Sequence, residues 1–148
     1  MEITKIVIKL LRSCAIAPKK ATKGASGFDV FACFSDEQKY MDIGSEPQRI
    51  PTGISMQIPS GIDGQIRPRS GLTLKGIIGP LGTIDSDYRG EIFVTMYTLK
   101  SNAIYRIQEG DRIAQVVFNN LANVDIDITN EELTETNRGS GGFGSTGS

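Results

Sequence analysis

Apolar and polar positions alternate with a period of two along most of the chain. Ile6, Ile8 and Leu10 interleave with Lys5, Val7 and Lys9; Phe28, Val30 and Ala32 with Asp29, Phe31 and Cys33; Ile54, Met56 and Ile58 with Ser55, Gln57 and Pro59. Successive strand side chains point to opposite faces, so each run predicts a half-buried strand. Residues 92–98 are apolar on both faces and predict a central, doubly covered strand. Residues 113–118 predict another buried strand, with Gln115 inside it in need of partners. Shorter strands are expected at 65–67 and 103–107. Val124, Ile126 and Ile128, alternating with Asp125 and Asp127, predict the last. Residues 13–27, 35–42, 59–64, 100–102 and 108–111 read as loops and turns. Ser70 is placed to cap a single helical turn. Roughly ten short strands without a long amphipathic helix predict an all-β, jelly-roll-like antiparallel barrel or sandwich.

Composition narrows the chemistry. A chain of 148 residues is one domain with a real core. Its net charge of −1 supplies no basic field for nucleic acid or an anionic membrane. No run reaches the ~18 apolar residues of a membrane-spanning helix. Lysines interrupt the first twelve residues, which read as a strand and not a signal peptide. Cys14 and Cys33 have no metal-ligand spacing and make no disulfide framework, so buried or free thiols of an intracellular, cytoplasmic protein are expected. Histidine is absent, which removes Ser-His-Asp and Cys-His schemes and histidine-ligated zinc. An enzyme built from this chain needs a carboxylate as base, or less readily a lysine, tyrosine or thiolate. Any metal would be a hard cation held by oxygen.

Four stretches carry candidate chemistry. Residues 82–90, Gly-Thr-Ile-Asp-Ser-Asp-Tyr-Arg-Gly, read as a hairpin leading into the 92–98 strand, with Asp85, Asp87, Tyr88 and Arg89 gathered at its turn. A carboxylate fixed there could activate water; equally, Asp-Ser-Asp is ordinary turn chemistry. Asp29 interrupts an apolar strand that directly follows a glycine, as a solvent-facing residue on a half-exposed strand also would. Ser70 opens a turn whose free N–H groups suit an anion. After Thr136 the composition turns glycine-rich, and Arg138 and Phe143 stand alone as a cation and an aromatic. A guanidinium can fork onto phosphate and a ring can stack on a base. Residues 137–148 therefore read as a flexible flap on a domain of residues 1–136.

Together, Gly27-Phe-Asp-Val30, Pro68-Arg-Ser-Gly-Leu72, Gly82 to Gly90, Gly110-Asp-Arg-Ile-Ala-Gln115 and Arg138 to Gly147 resemble the five ordered motifs of the trimeric dUTP pyrophosphatases (dUTPases). The resemblance spans residues 25–147. It implies a jelly-roll-like subunit, a homotrimer with sites between subunits, and hydrolysis of dUTP to dUMP and pyrophosphate with Mg2+ on the triphosphate. That reaction limits uracil incorporation into DNA and supplies dUMP for thymidylate synthesis. It further implies Asp85 as general base, Asp87 as a structural neighbour, and Tyr88 as the ring that packs under the deoxyribose and excludes a 2′-hydroxyl. Gly79, Gly82, Thr83 and Ile84 would line the uracil pocket. Arg69, Ser70, Gly71 and Gln115 would contact phosphates, and Asp29 would hold the metal through water. Asp111 and Arg112 would make structural contacts under the site. In the tail, Arg138 would bind the γ-phosphate, Phe143 would stack on uracil beside Gly144, and Ser145 and Thr146 would donate to the γ-phosphate. Phe28 stands where many members have tyrosine, Val30 replaces a common leucine, and Pro80 removes one backbone donor near the pocket. The rival readings are a dCTP deaminase of the same fold and a non-enzymatic jelly-roll module.

Overall fold

The structure is a computed structural model and describes residues 2–35, 37–144 and 147. Eleven strands and one short helix follow in the order β1 (Val7–Leu10), β2 (Phe28–Phe31), β3 (Tyr40–Ile43), β4 (Gln48–Pro51), β5 (Ile54–Gln57), β6 (Ile62–Arg67), α1 (Ser70–Leu74), β7 (Ile77–Ile78), β8 (Gly82–Ile84), β9 (Phe93–Thr98), β10 (Tyr105–Gln108) and β11 (Arg112–Asn120). All pairings are antiparallel. The largest sheet has the order β2-β11-β6-β8; β4-β9-β7 forms a second, and β1-β5 and β10-β3 form two-stranded ribbons. The all-β, jelly-roll-like expectation stands, with α1 as the single helical turn.

One cluster of buried side chains joins these sheets. Val30, Ile43, Ile50, Ile54, Ile84, Val94, Met96, Ile107, Ile113 and Val116 all belong to it. The period-two pattern explains why: residues of one parity face inward and reach the same core. In β9, Val94, Met96 and Thr98 are buried whereas Phe93, Thr95 and Tyr97 are partly or largely exposed. The strand is central in its sheet, but one of its apolar faces is not covered within the chain, a correction to the doubly covered expectation.

Further expectations are corrected. β3 falls partly in residues expected to be a turn, and β4 has no clear alternation; strands this short are fixed by their partners β10 and β9 more than by their own pattern. Residues 82–90 do not form a hairpin with the 92–98 strand. β8 pairs with β6, while β9 pairs with β4 and β7, so the intervening turn carries the chain from one sheet to another. Val124, Ile126 and Ile128 form no strand; they are 77%, 84% and 88% exposed. Their alternation is real, but among the described residues no neighbouring strand pairs with it. Ser70 is the first residue of α1, not its cap: Arg69 occupies the N-cap position, with no side-chain cap bond.

Cys14 and Cys33 are joined in a disulfide, against the expectation of thiols. The loop after β1 turns back beside the end of β2 and brings the two Cα atoms to 5.6 Å, within disulfide reach. Gly53 packs against this bridge with φ +68°, and a Cβ there would lie 2.7 Å from Cys33 Sγ and 3.0 Å from the Ala15 Cβ. Replacing Gly53 with alanine therefore combines backbone strain with overlap. We expect Gly53→Ala to destabilise the fold by about 1–3 kcal/mol, read as a lower urea midpoint at fixed protein concentration.

Candidate active site

β8 is laid against β6 in a fixed register: Gly82 opposes Ile66, Thr83 opposes Gln65 and Ile84 opposes Gly64. Ile84 points into the core, and Thr83 Oγ1 donates to Gln65 Oε1 at 3.3 Å. Beyond Ile84 the chain turns sharply, with the Tyr88 N–H donating to the Asp85 carbonyl at 3.1 Å. Asp85 and Tyr88 emerge here at the rim of a depression of about 250 Å3, whose floor includes Gly82, Thr83 and Ile84. Asp87, two residues on, does not line it and makes no ion pair or side-chain hydrogen bond among the described residues. Arg89 donates instead to the carbonyls of Ser86 and Tyr88. The two acids of the turn are thus inequivalent: one faces the depression and the other faces solvent. Gly79 does not line the depression; it lies against Thr95 and Pro68. Arg49 lines the same depression, stacked over Phe93 with its guanidinium 4.8 Å from the ring centre. Sequence reasoning missed it because β4 was not legible.

The return leg of the turn is braced. The Tyr88 hydroxyl donates to the Glu91 carbonyl at 2.9 Å. Both oxygens of the Glu91 carboxylate accept from Arg12, at 2.6 and 2.9 Å. This hydrogen-bonded guanidinium holds the Glu91 carboxyl below its ordinary value, with burial pulling the other way and the Arg12 charge and the Gly53 backbone adding to the lowering.

A second depression, of about 410 Å3, lies over α1 and the start of β11 and is lined by Arg69, Gly71, Lys75, Asp111 and Arg112 among others. It shares no lining residue with the first. Arg69 donates to the Arg112 carbonyl at 3.0 Å, and Arg112 in turn pairs with Asp29 at 3.4 Å. The Asp111 carboxylate accepts from the Gln108 N–H at 2.8 Å and closes the β10–β11 turn. Ser70 is exposed on α1 and does not line this depression. Gln115 sits midway in β11, opposite Asp29 on β2 and opposite Arg67 on β6. Directly opposed residues share a face, so Asp29, Gln115 and Arg67 form a polar row across three strands. Gln115 Nε2 donates to the Pro68 carbonyl at 3.4 Å, and its Oε1 fills the space where a Cβ on Gly27 would be. Arg67 is a candidate that sequence reasoning passed over; only the strand register aligns it with Gln115. The gathering of Arg69, Lys75 and Arg112 about the depression suits a polyanion.

The tail stands apart. Arg138 Nε donates to the Gly141 carbonyl at 2.9 Å, within the tail itself. Phe143 is fully exposed with φ 49°, followed by Gly144 with φ +87°. No hydrogen bond among the described residues joins 137–144 to the strands. Ser145 and Thr146 lie outside the described residues. The described residues contain no group of three or more acidic or cysteine side chains able to hold a metal by themselves. No helix among them is long and apolar enough to cross a membrane.

A family model described as dUTPase matches residues 14–147. The deoxyuridine 5′-triphosphate nucleotidohydrolase of Hydrogenobaculum sp. (strain Y04AAS1) is 43% identical over 146 residues, covering 97% of this chain and 98% of that protein. Its counterpart in Finegoldia magna is 45% identical over 133 residues, covering 88% and 90%. Among solved structures, the Staphylococcus bacteriophage 80alpha dUTPase with dUPNHPP superposes with a TM-score of 0.85 at 24% identity, over 99% of this chain and 100% of that one. A variant of the dUTPase from phage phi11 of S. aureus, reported for its coordination of a structural Mg(II) ion, superposes at 0.76 with 23% identity, over 86% and 98%.

The lowered Glu91 carboxyl makes a pH-dependent contribution to stability. A group whose folded pKa lies below its unfolded one stabilises above the unfolded value, near pH 4.3 for glutamate, and loses that contribution as pH falls through the folded value. The stability gap between the wild type and Glu91→Gln is expected to be full at about pH 7 and to shrink towards about pH 3, measured by urea unfolding at each pH.

Proposed function

The chain belongs to the dUTPase family and hydrolyses dUTP to dUMP; we propose that it does so by directing a water molecule at the α-phosphorus with Asp85 as general base. The observation that carries this reading is the inequivalence of the two acids of the turn: Asp85 faces the depression and Asp87 does not. In a chain without histidine, a carboxylate at the mouth of a groove is the natural proton acceptor. Water attacks the α-phosphorus, the bond to the bridging oxygen breaks, and pyrophosphate leaves as the water's proton passes to Asp85. Uracil would lie against Gly82, Thr83 and Ile84, read through main-chain groups, with Tyr88 under the deoxyribose. Charge developing on the leaving group would meet Arg69, Ser70, Gly71 and Gln115, with Arg67 and Arg112 beside them. Removing dUTP in this way would limit uracil entry into DNA, and the dUMP formed would feed thymidylate synthesis.

Asp29 fits Mg2+ in a limited sense. It offers one half-buried carboxylate beside a cation, and the described residues hold no group of three or more acidic or cysteine side chains to complete a cage. Such a donor suits an ion held mainly by phosphates and reached through water. When bound, the ion would neutralise phosphate charge, and Asp29 would help to hold it through water.

Three observations support an assembly of copies, read here as a homotrimer. The base-bearing and cation-bearing depressions share no lining residue. The tail makes no hydrogen bond to the strands of its own chain among the described residues. Residues 121–135 leave Val124, Ile126, Ile128 and Leu133 bare. In this reading the tail closes over a site formed by other copies, with Arg138, Phe143, Gly144, Ser145 and Thr146 ordering on the bound nucleotide.

Pyrophosphate release across dUTP, dTTP, dCTP and UTP with magnesium tests the substrate, and ammonia release from dCTP would instead favour a deaminase. Asp85→Asn is expected to bind dUTP but to lose at least about 10²-fold in kcat, the scale of a lost general base; full turnover would remove Asp85 from the role. Deleting 137–148 is expected to leave the solution mass at about three chains and to lower kcat/KM sharply, because such a tail serves the site more than the core. Unfolding of the truncated chain would refute the flap.

A further inference from the structure

Tyr88 is held by its neighbours more closely than an exposed turn residue usually is. Its hydroxyl is tied to the Glu91 carbonyl, and its ring lies on the backbone of Gly90. A Cβ on Gly90 would sit 2.6 Å from Tyr88 Cζ and 3.0 Å from Cε2. Any side chain at residue 90 would therefore push the ring away. The position of the ring is thus set by where residues 90 and 91 run.

Those residues are in turn fixed from outside the turn. Arg12, just beyond β1, grips both oxygens of the Glu91 carboxylate and also donates to the Cys33 carbonyl at 3.0 Å. The side chains of Arg12 and Glu91 are only 26% and 15% exposed. A bidentate pair at this burial holds its geometry, unlike the usual solvated surface pair. Arg12 is itself anchored: the next-but-one residue is Cys14, bridged to Cys33, and the Leu11 N–H donates to the Gly53 carbonyl at 2.7 Å. On the far side, the Ile92 N–H donates to the Ile54 carbonyl at 2.8 Å. The chain from β1 to Tyr88 is continuous: Cys14–Cys33 fixes Arg12, Arg12 fixes Glu91, and Glu91 fixes the phenol.

We propose that Arg12 and Glu91 are positioning residues for Tyr88, so that an ion pair rooted outside the motif-bearing segments sets how strictly the enzyme rejects a ribose. The inference rests on Tyr88 lying under the deoxyribose. A ring that drifts opens room for a 2′-hydroxyl. A steric gate discriminates only as well as its wall is held in place. Asp85 is reached by a different route, through β8 and its register with β6, so loosening the pair falls on sugar selectivity more than on the chemical step.

The test compares kcat/KM for dUTP and UTP in the full chain with magnesium. Arg12→Lys and Arg12→Gln are expected to lower the dUTP-over-UTP ratio by about tenfold while changing kcat for dUTP much less, the scale of a modest misplacement. The exchanged pair Arg12→Glu with Glu91→Arg is expected to recover part of the lost ratio. In a Tyr88→Ala background, Arg12→Gln is expected to change the ratio no further, because the wall it positions is gone. If Tyr88→Ala itself leaves the ratio unchanged, the gate reading fails and this inference with it. If Tyr88→Ala relaxes the ratio and the Arg12 variants lower both substrates equally, the gate stands and the positioning role is overturned. Arg12→Lys keeps a cation at residue 12 and serves where Arg12→Gln does not fold.

Discussion

The register between β6 and β11 is the constraint on which the site depends. Six residue pairs lock the two strands, from Gln115 opposite Arg67 to Asn120 opposite Ile62. A slip of one residue would turn every side chain to the opposite face. It would bury Gln115 and expel Val116 from the core. On its other edge β6 holds β8, and with it the residues that lead to Asp85. At its end β6 runs through Arg67 and Pro68 into α1, and so delivers Arg69. One strand therefore positions both depressions, with Asp85 reached from one side and the cations from the other. Packing of Ile66, Ile84 and Val116 into the common core secures that register.

Much of the fold was legible because half-buried strands leave a period-two imprint. The apolar run within Arg112 to Asn120 marks a buried strand without that imprint, whereas Ile54 to Gln57 carries it in its letters. Tyr40 to Ile43 and Gln48 to Pro51 do not: four residues give too short a pattern, and their pairing partners lie tens of residues away. The 124–128 alternation misled for the opposite reason. Its pattern belongs to a strand, but the partner that would make it one is not found within the described chain. The disulfide was invisible because two cysteines at this spacing say nothing of how the loop between them folds back.

The site was legible in its motifs and not in its braces. Asp85 and Asp87 look equivalent as letters; only the turn after β8 gives them different surroundings. Asp29 and Gln115 were named separately, yet their common face with Arg67 follows from strand register alone. Arg12 and Glu91 carry no motif signal. They are separated by most of the domain in sequence, and only the three-dimensional path of β1 and the turn brings the guanidinium onto the carboxylate. Residues that touch substrate are constrained in type and order, whereas residues that hold them can be drawn from anywhere the fold passes close.

The bare segment after β11 also carries a charge asymmetry. Residues 121–136 contain Asp125, Asp127, Glu131, Glu132 and Glu135 and no lysine or arginine. The whole chain is only −1, so the remainder is net positive. Two such segments repel each other, and each is drawn to the body of a chain. An alternating apolar stretch left uncovered is ordinarily a template for unwanted self-pairing. Here the interleaved acids disfavour segment-to-segment stacking and favour docking on a basic surface. The same alternation that gives the segment its exposed apolar positions also gives it a negative charge.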